Sequence, residues 1–202
     1  MEITADMIKA LRAETSAGVL DCRKALQEAN GDYQKALTWL QEKGMATAAN
    51  RSDRVASNGT IEIYSHGGGR VGVMVEVNCE TDFVARSEQF RTLAHEIALQ
   101  VAANAPRYVR AEDIPADELE KEAEKIKTRG KDEGKTAAVI DRMVEGALDK
   151  YKDEITLLRQ AYIRDETMTV EKLIMQNVAA IGENIVVRRF QRWELGESAG
   201  QM

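Results

Sequence analysis

Along the first 43 residues, apolar side chains recur every three or four positions in three short runs, the spacing of one-sided helices. Met7, Ile8 and Leu11 form the first stripe, behind Thr4 as a candidate N-cap. Val19, Cys22, Leu26 and Ala29 form the second, and Tyr33, Ala36, Leu37 and Leu40 the third. Asn30-Gly31-Asp32 separates the last two: Gly31 suits a left-handed C-cap position and Asp32 the next N-cap. The pattern predicts a three-helix module over residues 1–44. So short a segment buries little apolar surface unaided, which suits a marginally stable recognition head better than a catalytic body.

Residues 45–57 lose this period and fill with Ala, Ser, Asn, Arg and Asp, the composition of a linker, one with room for some helix. Beyond it the period falls to two. Ile61 and Ile63 flank Glu62, and Val71, Val73, Val75 and Val77 alternate with Gly72, Met74, Glu76 and Asn78, which predicts two antiparallel strands. The turn between them, Ser65-His66-Gly67-Gly68-Gly69-Arg70, has the glycines a tight hairpin needs. Ser87 then caps a helix with Phe90, Leu93, Ala94, Ile97, Ala98 and Val101 on one face, placed to cover the sheet. Ile114-Pro115 opens a charged helix through Lys127, and a second runs from about Lys135 to Tyr151. The charged loop 128–134 makes them a helical hairpin. Thr169 caps a helix carrying Val170, Leu173, Ile174 and Val178, and Gly182-Glu183-Asn184 leads into a third strand over 185–193. The expected class is α+β: a three-helix module, then a core over residues 58–195 with a three-stranded antiparallel sheet, covering helices and a helical hairpin, and a flexible tail over 196–202.

Composition narrows what such a chain does. Two prolines and 5% aromatics favour helix, and 28 basic against 34 acidic residues give a net charge of −6, which disfavours a nucleic-acid coat and points to a protein partner. Cys22 and Cys79 lie far apart, form no CxxC pair and have only His66 and His95 beside them, so no zinc site or disulfide framework is expected. Cys22 on its helical stripe reads as a small hydrophobe, and His95 as a packed or capped histidine at the core edge. No stretch approaches the roughly 20 apolar residues of a membrane span, and the first residues carry no signal pattern, so a cytoplasmic protein is expected.

Two fragments resemble esterase signatures: His66-Gly67-Gly68-Gly69 an oxyanion-hole loop, and Gly196-Glu197-Ser198-Ala199-Gly200 a nucleophile elbow. The elbow requires a strand, a sharp turn and a helix, with a histidine after the serine; only Gln201 and Met202 follow Gly200. The esterase reading is therefore rejected. The glycine turn also lacks the lysine and helix of a phosphate loop. No catalytic residue, metal ligand or cofactor is assigned.

The remaining unusual stretch is Asn78-Cys79-Glu80-Thr81-Asp82-Phe83-Val84-Ala85-Arg86-Ser87, between a buried strand and a helix. Asp82 and Phe83 put a carboxylate beside a large aromatic, the pairing of an interface hot spot. An aromatic there serves either as an interface anchor or as a plug folded back into the core, with Asp82 capping the helix; the residues alone leave both open.

At these residues the chain resembles the elongation factor Ts family, guanine-nucleotide exchange factors for elongation factor Tu. Three segments carry the resemblance in order: Thr15-Ser16-Ala17-Gly18-Val19-Leu20-Asp21-Cys22-Arg23-Lys24-Ala25-Leu26 with Glu28-Ala29-Asn30-Gly31-Asp32, then Glu76 to Arg86, then Ile181-Gly182-Glu183-Asn184-Ile185-Val186-Val187-Arg188-Arg189. The resemblance implies an N-terminal module similar to ubiquitin-associated domains. It implies that Thr81, Asp82, Phe83 and Val84 intrude on the GTPase domain of elongation factor Tu and dislodge its Mg²⁺. Val19, Leu20 and Asp21 stand where the family's N-terminal module meets that domain, and a second domain of the partner is expected in contact. Ser87 replaces a more usual asparagine, and residues 46–57 are poorer in lysine than is common in the family. Longer members hold two core halves where this chain has room for one; either the short core suffices or two chains associate to supply the missing half, and a homodimer is the expectation favoured. A binding scaffold without exchange activity is the alternative; no membrane or direct nucleic-acid contact is expected.

Overall fold

The computed structural model describes residues 3–15 and 17–197. In chain order the elements are α1 (Ala5–Thr15), α2 (Val19–Glu28), α3 (Tyr33–Ala49), β1 (Asn58–His66), β2 (Val71–Cys79), α4 (Asp82–Arg86), α5 (Glu88–Asn104), α6 (Ala116–Asp132), α7 (Ala137–Ile155), β3 (Ala161–Tyr162), β4 (Asp165–Thr169), α8 (Val170–Ile181) and β5 (Val186–Glu194). β1, β2 and β5 form a three-stranded antiparallel sheet in the order β1-β2-β5, and β3 and β4 a separate two-stranded hairpin, so the fold is α+β as expected. The chain divides into two compact units, one of Met1–Ile61, Glu76–Ala94 and Lys172–Val186, the other of Glu62–Val75, His95–Glu171 and Val187–Met202.

In the first unit, α1, α2 and α3 close over Leu11, Cys22, Ala25, Leu26, Ala36, Leu37 and Leu40. The local chemistry explains each boundary. Thr4 Oγ1 accepts from the N–H of Met7 (3.3 Å), and Asp32 Oδ1 from that of Lys35 (3.1 Å). At the end of α2, both Asn30 (φ 51°) and Gly31 (φ 82°) are left-handed. The N–H of Gly31 donates to Leu26 O (2.8 Å) and that of Asn30 to Gln27 O (3.0 Å), a Schellman turn in which Asn30, and not Gly31 alone, takes the left-handed position. The expected apolar stripe of α2 holds at Cys22 and Leu26 but not at Val19, which is half-exposed; a side chain in the first turn leans toward the helix N-terminus and so overhangs the core.

α3 runs through Gly44 to Ala49, so helix enters the stretch whose composition suggested a linker. The reason is tertiary: a Cβ at Gly44 would sit 3.1 Å from the Ala179 Cβ of α8, and glycine permits that approach. Just beyond, the Arg51 guanidinium donates to Val178 O (3.2 Å).

In the second unit, Ile97, Ala98 and Val101 of α5 are buried, as the periodicity predicts. Gln100, fully buried, is satisfied at both ends: its amide nitrogen donates to Gln160 Oε1 and Ala161 O, and its oxygen accepts from the N–H of Ile163 (2.9 Å). The β3–β4 hairpin this glutamine anchors lies in a stretch the periodicity left without elements. α6 and α7 form the helical hairpin. α6 continues to Asp132, where a loop from 128 is expected, because a Cβ at Gly130 would meet Ile140 Cγ1 of α7 at 2.8 Å; the glycine is a close-packing residue inside the helix. The turn comes at Gly134 (φ 67°). At the hairpin's base the Glu118 carboxylate gathers the hydroxyls of Tyr108 and Tyr151 and the Arg107 guanidinium at 2.6–3.1 Å.

The sheet faces are not those a simple apolar alternation suggests. Val73 and Val75 of β2 are buried, but on β1 it is Glu62 and Tyr64 that are half-buried while Ile63 is 72% exposed. Glu62 Oε1 meets His95 Nδ1 of α5 at 2.8 Å, and the Tyr64 and His95 rings meet edge-on at 5.5 Å. A polar pair satisfied against α5 thus turns the β1 isoleucines outward. Arg192 Nε of β5 donates to Ala102 O of α5, which turns the neighbouring Trp193 away from α5; it is 55% exposed, and Met74 on β2 is 41% exposed. Residues 67–70 form the expected turn, with Gly67, Gly68 and Gly69 at φ 62°, 68° and 90°.

Candidate functional site

The segment after β2 is a single helical turn, α4. Thr81 is its N-cap: the backbone is extended (φ −124°, ψ 156°) and Oγ1 accepts from the N–H of Val84 (3.3 Å). At its other end Ser87 Oγ donates to Val84 O (2.8 Å) and accepts from the N–H of Phe90 (3.3 Å), ending α4 and starting α5. Asp82 and Phe83 therefore occupy the first turn of a helix fixed at both ends.

Between the two expectations for Phe83 the structure is unambiguous: its side chain is 85% exposed and fills no core position. Asp82 is exposed and pairs with Arg86 one turn on (3.1 Å). Val84 is half-buried. Beside α4 an open groove of ≈ 340 Å³ is lined by Asn58, Thr60, Asp82, Arg86 and Arg91. An exposed aromatic beside a carboxylate, on a short helix with little freedom, has the form of a wedge.

The root of this wedge is held by residues far away in sequence. Glu183 Oε2 accepts from the backbone N–H of Glu80 (3.0 Å) and of Thr81 (3.0 Å), and its Oε1 accepts from the Thr81 hydroxyl (2.6 Å). Glu80 Oε1 in turn accepts from the N–H of Asn184 (2.7 Å), and the Asn184 amide donates to Ser52 O and Arg54 O (3.2 and 2.8 Å). Asn58 Nδ2 donates to Glu80 O (2.8 Å), and the Cys79 thiol to Thr81 O (3.2 Å). Burial, with the Glu183 and Glu80 charges adding, pushes that thiol up to about 11, so it stays protonated at neutral pH; this overcomes the opposing backbone hydrogen bonds.

The second set of expected site residues lies at the start of α2. Leu20 is 80% and Val19 49% exposed, an apolar pair with no core role. Asp21 is tied to α3 by Lys43 (2.6 Å), whose ammonium also lies 5.1 Å from the centre of the Trp39 ring. Ser16, which precedes this segment, lies outside the described residues, as do Ser198, Ala199 and Gly200 of the elbow-like fragment and the rest of the expected tail.

Elsewhere the candidates for chemistry are occupied structurally. Cys22 is buried in the three-helix core, and burial raises its thiol above the ordinary range. His95 is hydrogen-bonded to Glu62, and His66 to the Tyr64 hydroxyl (2.9 Å). Among the described residues no group of three or more His, Cys, Asp or Glu side chains could hold a metal ion, and no helix is long and apolar enough to cross a membrane. Sequence reasoning missed the role of Glu183 and Asn184 as ties to the wedge. Their segment is distinctive, but the partners stand more than 100 residues away in the chain.

Comparison with known proteins gives one answer. The family described as Elongation factor TS matches residues 4–197. The chain is 53% identical over 195 residues to the elongation factor Ts of Caldanaerobacter subterraneus subsp. tengcongensis, covering 96% of this chain and 98% of that protein. It is 51% identical over 199 residues to that of Moorella thermoacetica, covering 98% of each. Against that of Carboxydothermus hydrogenoformans it is 51% identical over 195 residues, 96% of this chain and 90% of that protein.

Proposed function

The chain belongs to the elongation factor Ts family, and from that premise we propose that it binds elongation factor Tu·GDP, displaces the bound Mg²⁺ and promotes release of GDP so that GTP can bind. The observation that carries this reading is the exposed, braced Phe83 beside Asp82 on α4. Bound Mg²⁺ bridges nucleotide phosphate and protein, so a rigid wedge that shifts its ligands weakens the hold on GDP. The factor itself performs no covalent step. It spends binding energy on a conformation of its partner that holds nucleotide poorly, and linkage makes the effect reciprocal: GDP weakens binding of the factor by the same ratio. Thr81, Asp82, Phe83 and Val84 form the part that enters the GTPase domain. Val19, Leu20 and Asp21 form a second contact with that domain, and we expect a further domain of the partner to be engaged. Such a factor works in the cytoplasm.

The test is the release rate of a fluorescent GDP analogue from purified elongation factor Tu. Saturating protein is expected to accelerate release by at least about a hundredfold, roughly 2.7 kcal/mol of lowered barrier. A folded protein that binds the partner without changing release would instead be a scaffold.

We assign residues 1–44 to a ubiquitin-associated-like recognition module, 45–57 to a linker, 58–195 to the exchange core and 196–202 to a tail. The closed core of α1–α3, whose last buried member is Leu40, supports the module, and α3 itself runs on to Ala49 past its assigned end. We further propose a homodimer formed through the face of the sheet turned away from α5, where Ile63, Met74 and Trp193 are exposed on neighbouring strands. Sedimentation at micromolar concentration is expected to give twice the 22.5 kDa chain mass, and Ile63→Asp to return it to the single-chain value. A wild-type protein that sediments as one chain sinks the dimer.

A further inference from the structure

We infer that Glu183 is the positioning residue of the exchange wedge: its carboxylate, bound to the backbone N–H groups of Glu80 and Thr81 and to the Thr81 hydroxyl, fixes the direction in which Asp82 and Phe83 project. The inference rests on the exchange reading above and assigns to Glu183, through its bonds to Glu80 and Thr81, the job of keeping the wedge productive.

Both oxygens of one carboxylate are used, and all three donors belong to Glu80 and Thr81, the two residues immediately before Asp82. Charge-assisted hydrogen bonds are about twice as strong as neutral ones, and donors on two successive residues resist rotation where a single bond would act as a pivot. The Thr81 hydroxyl hydrogen is committed to Glu183, so the oxygen's lone pairs face the N–H of Val84, which it accepts. Glu183 thereby sets the N-cap of α4 and with it the azimuth of Phe83. The carboxylate reaches this place because α8 ends at Ile181 and the left-handed Gly182 (φ 89°) turns the chain, its N–H donating to Val178 O (2.9 Å). A reciprocal tie holds the two strands of backbone together: Glu80 Oε1 accepts from the N–H of Asn184. Arg54 stands 3.6 Å from Glu80 and offsets the charge of the two carboxylates. A five-residue helix makes no fold of its own, and an aromatic on a swinging turn would lose orientation before it met its target.

The experiment measures stimulated release of a fluorescent GDP analogue from elongation factor Tu over a concentration series of wild type, Glu183→Ala, Glu183→Gln and Glu183→Asp. It is paired with amide hydrogen exchange at residues 80–84 of each free protein. Glu183→Ala is expected to lower the maximal stimulated rate about tenfold while shifting the half-saturating concentration much less, because the contacts of the N-terminal module are untouched. Glu183→Gln is expected to recover most of the rate, since its oxygen can accept the two backbone N–H groups while its nitrogen donates to Thr81 Oγ1. Exchange at residues 80 and 81 is expected to quicken in Glu183→Ala and to stay slow in Glu183→Gln. If Glu183→Ala leaves too little folded protein, Glu183→Asp, which keeps the charge but withdraws it by one methylene, carries the same expectation in weaker form. A wild type that accelerates release and variants that match it overturn the inference. A wild type that fails to accelerate release overturns the exchange reading, and positioning is then decided by amide exchange alone: equal protection at 80 and 81 in wild type and Glu183→Ala overturns it.

Discussion

Phe83→Ala is expected to leave the protein folded and to reduce stimulated GDP release from elongation factor Tu by about thirtyfold, corresponding to about 2 kcal/mol for an aromatic hot spot. The fold should not notice the change. The side chain is 85% exposed, and α4 is fixed by Thr81, Ser87 and Glu183, none of which uses the phenyl ring. The partner should notice it strongly, because an aromatic already stripped of internal contacts can devote its whole surface to the interface, at little entropic cost on a braced turn. Leu20→Ala provides the contrast: it removes an exposed apolar contact of the N-terminal module, so it should raise the half-saturating concentration and leave the maximal rate nearly intact. Melting temperature and stimulated release are measured on the same preparations. Stimulated release unchanged in a folded Phe83→Ala protein would falsify the wedge.

The difference between what the chain announces and what only the fold reveals runs along sequence separation. Residues whose partners lie within a turn were legible. Asp32 caps α3, Val73, Val75 and Val77 of β2 are buried, Gly67 to Arg70 form a turn, and Phe90 to Val101 make one face of α5. Where a distant partner decides, local pattern misleads. Gly130 reads as a loop residue until Ile140 of α7 is brought against it, and Gly44 reads as the end of a helix until Ala179 of α8 explains why a glycine is needed inside one. The isoleucines of β1 look like core because apolar alternation carries no sign; the Glu62–His95 pair chooses the face. The site divides the same way. Thr81 through Val84 stand out as a carboxylate and an aromatic after a buried strand, yet only the packed structure removes the core plug for Phe83. Glu183 cannot be read as a brace from any window that excludes Thr81.

Gly59→Ala should be the most destabilising small substitution in the core, costing at least about 3 kcal/mol, a large part of the 5–15 kcal/mol that holds an ordinary domain together. Gly59 sits in β1 at φ 151°, a conformation that L side chains rarely adopt. An added Cβ would lie 2.1 Å from Val77 O and 2.8 Å from Asn78 Cα, both backbone atoms of the paired strand β2. No rotamer change relieves a backbone clash, so the strands must part at this point. The damage reaches the wedge, because the flanking Asn58 holds it from both directions: its amide donates to Glu80 O, and its own carbonyl accepts from Asn78 Nδ2. Gly72→Ala, in β2 with nothing within 4 Å of the new methyl, is the matched control and should be neutral or stabilising by about 0.5 kcal/mol through the unfolded chain. Urea unfolding of the two variants separates the effects, and stimulated release measured where Gly59→Ala is still folded reads the wedge directly. A Gly59→Ala midpoint equal to that of Gly72→Ala would mean that β1 and β2 can move apart freely at this end, and then the brace on α4 would have to come from Glu183 without help from the sheet.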